Sequence, residues 1–369
     1  MEEIRNRIIT LSGEPVSGKS TILKELVKIY QKNGLNVHII SAGEVFRKVA
    51  IEEYKKEHPE LEKVNLADVQ SDKTFSEKLK EIDNNLDKYI GEAGEKINLE
   101  KRENDVYIVD SRLAWNTIPK SYAVRLTVNE KIAGERVFKD KTRGEEDKYK
   151  NIEQAIEKTR ERKLSEIERY KKTYGVNLTD NENYDLIIDS SYAIAEQLAK
   201  IVKDGEEAYR NKKEYPKYWA SPLHFVSTQQ VGGTCNPQPI GGYTIEELAQ
   251  NINKNGYMPN EGQIAIIENN GTKFVSEGNH RIMAALANGL TVVPYKTIEK
   301  DTENTNRYAK NATRENGSIE HNGDYMDLLE YYGWKIGKIE GYKNLKIDKL
   351  LSKACQDFSE RLKKESEAR

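Results

Sequence analysis

Residues 13–21 of this 369-residue chain read GEPVSGKST, which has the form G-x-x-x-x-G-K-S. A mainly apolar run from Ile8 to Leu11 stands before these residues, and a helical pattern continues from Ile22. Glycines in such a loop let several backbone N–H groups point inward, and the following helix N-terminus adds a positive field. The strand–loop–helix context therefore predicts a phosphate-binding loop for a nucleoside triphosphate.

Individual loop residues have separate tasks in this interpretation. Lys19 reaches the outer phosphates, and the hydroxyl of Ser20 offers an oxygen ligand to Mg²⁺. We therefore expect ATP and Mg²⁺ as cofactors. The remaining predicted contacts with ATP come from Gly13, Ser17, Gly18 and Thr21.

The composition limits the class of protein. Lys and Arg number 59 against 61 Asp and Glu, so no overall basic excess favours nucleic acid, and only a local basic patch stays open. Two cysteines are too few for a disulfide framework. The sequence has no apolar stretch that is long enough to cross a membrane, and it begins with an acidic segment rather than a secretory signal. We expect a cytoplasmic protein with no membrane partner.

Strand and helix patterns alternate through the first half of the chain. This alternation predicts an α/β fold with a doubly wound parallel sheet, whose ligands lie beyond the carboxyl ends of the strands. Lys, Tyr and Pro crowd residues 211–219, which favours a linker at 206–221 between domains at 1–205 and 222–369. The predicted strands of the first domain are 5–12, 37–40, 106–109, 123–128 and 184–189; its predicted helices are 19–32, 43–57, 73–101, 145–173 and 192–203.

Several further segments follow the phosphate loop in a fixed order. They read SAGEVFR at 41–47, DSRLAW at 110–115, SEIERY at 165–170 and YGVNL at 174–178. Together with the loop, they resemble the short, archaeal-type cytidylate kinases of the nucleoside monophosphate kinase group. The resemblance covers about residues 5–203 and implies that a monophosphate acceptor is held by arginines while ATP occupies the loop.

By position, Arg47 and Arg112 resemble the acceptor-binding arginines of that family. Guanidinium groups bind phosphate oxygens bidentately and keep their charge, as phosphoryl transfer requires. The alternative for residues 145–173 is a charged helix whose side chains are merely solvated surface neighbours. The arginines that resemble those of a mobile lid are Arg160, Arg162 and Arg169, with Arg136 and Arg143 as further candidates.

The chain departs from the family where a nucleotide acceptor would bind. Asp110-Ser111-Arg112 stands where the family usually has Glu-Gly-Arg. Asp110 can still order Mg²⁺ through water, but the missing glycine changes the acceptor site. The resemblance implies CMP or dCMP as the default acceptor; a modified pyrimidine nucleotide and another phosphorylatable small molecule stay open.

Residues 222–300 have a different pattern. A helix is predicted at 243–252, a hairpin at 264–276 and a further strand at 292–295, and a last helix follows at 345–365. The box EGNHR, residues 277–281, lies between the hairpin and the helix at 282–289. This order and this box resemble the ParB/sulfiredoxin-like fold.

That second resemblance implies a nucleotide or phosphate ligand at the box. Asn279 stands where sulfiredoxins have their cysteine, which argues against sulfinic acid repair because that reaction needs a sulfur nucleophile. Cys235 is distant in sequence, and we interpret it as an ordinary thiol. The residues expected to contact a second nucleotide are Glu277, Gly278, Asn279, His280 and Arg281.

The leading hypothesis is an ATP-dependent phosphotransferase of the nucleoside monophosphate kinase type, joined to a nucleotide-binding domain. A nucleotide-dependent switch protein that binds DNA is an alternative, supported by the ParB-like box alone. A kinase that modifies a base within a polynucleotide is a third. The sequence leaves nucleic-acid binding open.

Overall fold

A computed structural model describes residues 7–61, 64, 69, 72–99, 102–140, 149–227, 245–260, 262–269, 272–299 and 345–367. Its contacts divide the chain into two compact units. The amino-terminal unit comprises 1–186 and 202–211, and the second unit comprises 187–201 and 212–369. The predictions for Arg143, for Cys235 and for the turn at 270–271 lie outside the described residues.

The amino-terminal unit alternates strands with helices. Four strands and seven helices of this unit are described, and an eighth helix, α8, begins in the second unit and ends in this one. The strands are β1 (Arg7–Gly13), β2 (Asn36–Ser41), β3 (Asp105–Asp110) and β4 (Tyr122–Thr127). The helices are α1 (Lys19–Lys32), α2 (Ala42–Glu57), α3 (Ser76–Asn84), α4 (Leu86–Leu99), α5 (Ala114–Thr117), α6 (Glu130–Lys139), α7 (Ile152–Tyr174) and α8 (Ala195–Arg210).

Strand order in this unit is β2-β3-β1-β4, and every neighbouring pair is parallel. The central strands are apolar on both faces: in β3, residues 105–109 are all buried. Such continuous burial is typical of a parallel sheet with helices on both sides. The predicted parallel α/β sheet of the first half is thus confirmed, and β1, β3 and β2 end at one edge, where Ser41 is in register with Asp110.

Two helices of this unit approach each other through a glycine. Gly134 of α6 faces α7, and a Cβ atom there would lie 2.7 Å from the Cα atom of Ile156. Cβ atoms do not approach backbone atoms so closely, so only glycine allows this separation. The position of α7 therefore depends on the missing side chain at residue 134.

The second unit has a mixed sheet in the order β5-β6-β10-β8-β9-β7. Its strands are β5 (Leu186–Asp189), β6 (Tyr218–Ala220), β7 (Phe225–Val226), β8 (Ile264–Asn269), β9 (Thr272–Glu277) and β10 (Val293–Thr297). β8 and β9 are antiparallel, as the predicted hairpin requires, whereas β10 is parallel to β8. The further helices are α9 (Ile245–Asn255), α10 (Asn279–Ala287) and α11 (Leu345–Glu367).

Residues 206–221, which we predict as a linker, contain regular structure. α8 continues to Arg210, and β6 pairs with β10 through Ala220 and Val293. Glu206 is buried in the last part of α8, where Tyr30 donates a hydrogen bond to it. The polar composition of this segment does not indicate these contacts, because their partners are distant in sequence. Among the described residues, no helix is long and apolar enough to span a membrane.

Candidate functional site

The loop between β1 and α1 is built from backbone in unusual conformations. Gly18 precedes α1 with a φ of 84°, and Val16 has a φ of 63°. A Cβ atom at Gly13 would lie 2.5 Å from the Oγ atom of Ser17. The sequence therefore has glycine at position 13, where a side chain would crowd Ser17, and at position 18, where the backbone is left-handed. Ser17 is buried inside the loop, while Ser20 and Thr21 are exposed on the first turn of α1.

Lys19 points from the start of α1 toward the end of β3. Its ammonium group forms an ion pair with Asp110, and each side chain is 20% exposed. Burial lowers the pKa of Lys19, and the neighbouring Asp110 carboxylate opposes that shift. The Arg112 guanidinium also lowers the pKa of Lys19, which shows that the two positive charges lie close to each other.

A carboxylate from α7 lies next to Arg112. The Nη2 atom of Arg112 is 2.8 Å from Oε2 of Glu166, and the Nε atom of Arg162 donates to Oε1 of the same side chain at 3.3 Å. Arg112 is 19% exposed and Arg162 is 57% exposed. One predicted acceptor arginine and one predicted lid arginine therefore meet on a single carboxylate.

A second ionic cluster surrounds Glu14, the residue after Gly13. Arg125 of β4 contacts Glu14 at 3.3 Å, and Lys163 of α7 contacts it at 3.0 Å. Arg125 also donates to the carbonyl of Thr179 and to Asn181. These contacts connect the phosphate loop with β4, α7 and the segment after α7.

Charged side chains from both ionic clusters line a pocket of about 380 Å³, a volume that includes solvent at its mouth. Three cations face two carboxylates there, which leaves one positive charge in excess. The charged lining residues are Arg112, Arg125, Lys163, Glu14 and Glu166; Ser12, Gly13, Pro15, Ile167, Leu178, Thr179 and Tyr184 complete the wall. Sequence reasoning assigned no binding role to Glu14, Arg125, Lys163 or Glu166.

Three other predicted arginines lie outside this pocket. Arg47 is exposed on α2, and the described residues offer it no hydrogen bond or ion pair. Arg160 is 3.9 Å from Glu130 and 54% exposed. Arg169 is exposed, and its guanidinium lies 5.0 Å from the ring centre of Tyr170.

In the second unit, the predicted box lies at the junction of β9 and α10. Gly278 precedes the helix with a φ of 114°, and a Cβ there would lie 2.7 Å from the Cδ1 atom of Ile264. Asn279 and His280 are buried, and Ser227 donates to Asn279. Arg281 donates to the carbonyl of Gln263 at 2.7 Å, and Glu277 is exposed.

His280 has an unusual environment in this box. It is 7% exposed, and its Nδ1 atom has no hydrogen-bond partner among the described residues. Burial lowers the pKa of His280. The neutral imidazole therefore keeps one unused polar atom in the interior.

The comparisons with known proteins concern the amino-terminal half. The model of the cytidylate kinase-like family matches residues 8–192. A cytidylate kinase of Methanocella arvoryzae is 32% identical over 195 residues, which are 53% of this chain and 94% of that relative. A cytidylate kinase of Methanosarcina mazei is 32% identical over 183 residues, 49% of this chain and 86% of the relative.

One relative carries a different name. The S-adenosylmethionine-dependent nucleotide dehydratase of Lacinutrix mariniflava is 29% identical over 197 residues, which are 53% of this chain but 34% of that protein. About two thirds of that protein therefore lies outside the aligned segment.

Proposed function

The chain belongs to the cytidylate kinase-like family, and we propose that it transfers the terminal phosphate of ATP to a pyrimidine nucleoside monophosphate such as CMP or dCMP. The observation that carries the proposal is the convergence of Lys19, Asp110 and Arg112 at the carboxyl edge of the sheet. Ligands of open α/β sheets bind at this edge. A nucleotide-binding kinase is the activity that suits both the phosphate loop and the cationic pocket beside it.

The proposed reaction forms one bond and breaks another. An oxygen of the acceptor phosphate attacks the γ-phosphorus of ATP, the bond from that phosphorus to the β,γ-bridging oxygen breaks, and ADP leaves. Charge on the transferred group is spread over its oxygens, so catalysis depends on positioning and on positive groups. Lys19 serves the donor phosphates, Arg112 serves the acceptor phosphate, and Arg162 of α7 contacts the same carboxylate, Glu166, as Arg112. Arg160 and Arg169 join only if α7 moves as a lid, and Arg47, on α2, is the second proposed ligand of the acceptor.

The side chains at this edge suit a magnesium ion. Ser20 offers a hydroxyl and Asp110 a carboxylate, and Mg²⁺ prefers such oxygen ligands, completed by water and by phosphate oxygens. We propose that these two residues hold it, Asp110 through water. When bound, Mg²⁺ neutralises charge on the phosphates. Its arrival would compete with Lys19 for Asp110.

The direct test is a transfer assay with the full chain and Mg-ATP. CMP, dCMP, UMP, dUMP and hydroxymethylated pyrimidine monophosphates are offered in parallel. We expect phosphorylation of at least one of them, lost in Lys19→Ala and kept in Lys24→Ala, whose exposed side chain lies on the same helix. No transfer to any of these acceptors would overturn the proposal.

For the second unit, we propose a ParB-like phosphate or nucleotide site at residues 277–281. The positive φ of Gly278 at the start of α10 and the unpartnered Nδ1 of His280 support it. A helix N-terminus attracts anions, and a buried polar atom without a partner is costly. Calorimetry on full-length Lys19→Ala with CTP, CDP and ATP tests it: binding that Gly278→Val abolishes supports the site, and the absence of any heat contradicts it.

A further inference from the structure

The carboxylate of Glu166 has the surroundings expected of a bound phosphate. One oxygen lies 2.8 Å from Nη2 of Arg112, and the other accepts from Nε of Arg162 at 3.3 Å. Lys19 lies close enough for the charge of Glu166 to raise its pKa. Three cations that we assign to the phosphoryl-transfer site thus act on one side-chain anion.

Glu166 belongs to the moving partner in the proposed mechanism. It lies on α7 with Arg162, one helical turn further on, whereas Arg112 follows β3 in the body of the sheet. Pairing at i, i+4 within a helix is common and weak, but the contact with Arg112 is tertiary. Glu166 therefore connects α7, the proposed lid helix, to Arg112, the proposed acceptor arginine.

One donor of Arg112 is left over in this arrangement. Its Nη1 atom is buried and has no hydrogen-bond partner among the described residues. Guanidinium groups bind anions through two parallel N–H groups, and a buried donor without a partner is destabilising. The one carboxylate oxygen of Glu166 that contacts Nη2 leaves the N–H groups of Nη1 without an acceptor. A phosphate, with more oxygens and a charge near −2 at neutral pH, would satisfy both halves.

From this geometry we infer that Glu166 occupies the position of the acceptor phosphate and is exchanged for it when the acceptor binds. The inference rests on the proposed kinase function and adds which side-chain anion pairs with the cations of its acceptor site before the acceptor binds. In the described arrangement, the single negative charge of Glu166 is shared between Arg112 and Arg162, and the contact with Arg112 joins α7 to the segment after β3. With acceptor, the phosphate takes both arginines, and the carboxylate of Glu166 moves away. The carboxylate thus competes with the substrate for the same cations.

The test compares Glu166→Gln with the matched variant Glu168→Gln, an exposed position on the same helix. The first probe is inorganic phosphate, titrated into the full chain in the absence of ATP. Trp115 is the reporter because its indole N–H donates to the carbonyl of Arg112 at 3.2 Å, and Trp115→Phe serves as the blank. Removing one charged competitor should tighten phosphate binding about tenfold to a hundredfold, the equivalent of one charge-assisted contact. Glu168→Gln should bind phosphate like the unmodified chain.

Steady-state kinetics with the best acceptor separate competition from simple positioning. We expect Glu166→Gln to lower the acceptor KM while the KM for ATP stays constant. If Glu166 only orients Arg112, the same variant would weaken phosphate binding or lower kcat, and that result overturns the inference. Glu166→Asp, which keeps the charge, should stay near the unmodified chain in phosphate affinity and provides the comparison if Glu166→Gln does not fold.

The two probes also separate this inference from the kinase proposal. Active transfer with unchanged phosphate affinity in Glu166→Gln removes the inference and leaves the kinase function standing. Tighter phosphate binding in Glu166→Gln without transfer to any nucleotide removes the kinase function, while the exchange of Glu166 for an anion stands.

Discussion

Arg136 of α6 holds the phosphate loop through the carbonyl of Val16, to which its Nη1 atom donates at 3.1 Å. Val16 has a φ of 63°, a left-handed conformation that costs a branched residue about 1–2 kcal/mol. A side chain from a separate helix therefore helps to keep the loop in its strained shape. Its guanidinium also lies 4.0 Å from where a Cβ of Gly18 would be.

We predict that Arg136→Ala weakens Mg-ATP binding about tenfold to a hundredfold, because one charged hydrogen bond that shapes the loop is lost. The measurement is calorimetric titration with a non-hydrolysable ATP analogue. Lys139→Ala, at a 71% exposed position near the end of the same helix, is the control and should bind normally. Equal losses in the two variants would mean that net charge, rather than the contact with Val16, governs binding.

Arg112→Ala should raise the acceptor KM at least tenfold and leave the KM for ATP within about twofold, since a buried charged hydrogen bond contributes about 1.5–3 kcal/mol. Initial rates with each substrate varied in turn measure both constants. Arg102→Ala is the matched control at the opposite end of β3, where Arg102 lies 3.6 Å from Asp105. An unchanged acceptor KM in Arg112→Ala would show that the acceptor binds elsewhere.

Gly134→Ala should destabilise the chain by about 1–3 kcal/mol, because the new Cβ would overlap the backbone of Ile156 and force α7 away from α6. Urea unfolding followed by circular dichroism gives the free energy. Gly43→Ala is the companion change: this helical glycine has no atom within 4 Å of its would-be Cβ, and alanine there should be neutral or stabilising by up to about 1 kcal/mol. Similar losses at both positions would contradict the steric explanation.

The stability of the second unit should fall in mild acid because of His280. Burial lowers the pKa of His280 below its ordinary value of 6.5, so the unfolded chain takes up a proton that the folded chain refuses. The stabilising effect of the neutral side chain is complete above pH 6.5 and is lost as the pH falls toward the lowered pKa. Urea midpoints between pH 7.5 and 5 should decline less steeply in His280→Leu; identical slopes would contradict this prediction.

The elements near the phosphate loop could be predicted from local sequence. The helix at residues 19–32 has its predicted bounds, because a glycine marks its start and the apolar period is clear to its end. Asp110 and Arg112 follow a buried strand, and because parallel strand ends share one edge of the sheet, the sequence predicts that both lie at that edge. In contrast, α8 and β6 within residues 206–221 depend on partners far away in sequence.

The ionic contacts of α7 could not be predicted in the same way. Its sequence contains many acidic and basic residues, and each of them is compatible with a solvent-exposed helix face. The sequence alone therefore does not show which of them forms a tertiary ion pair. Tertiary packing alone selects Lys163 for Glu14 and Glu166 for Arg112. Arg125 stands inside an apolar strand, where an arginine is a signal of an ionic partner, and the structure buries it to 8% exposure.

Neither compact unit is one continuous run of sequence. Residues 187–201 belong to the second unit, yet they come before residues 202–211, which belong to the amino-terminal unit. During synthesis, the kinase-like unit is therefore complete only after residue 211 has left the ribosome. Residues 187–201 of the second unit emerge before that point. A division of the gene at any single codon in this region would leave one product without some residues of its own unit, so the two units are best expressed and assayed as one chain.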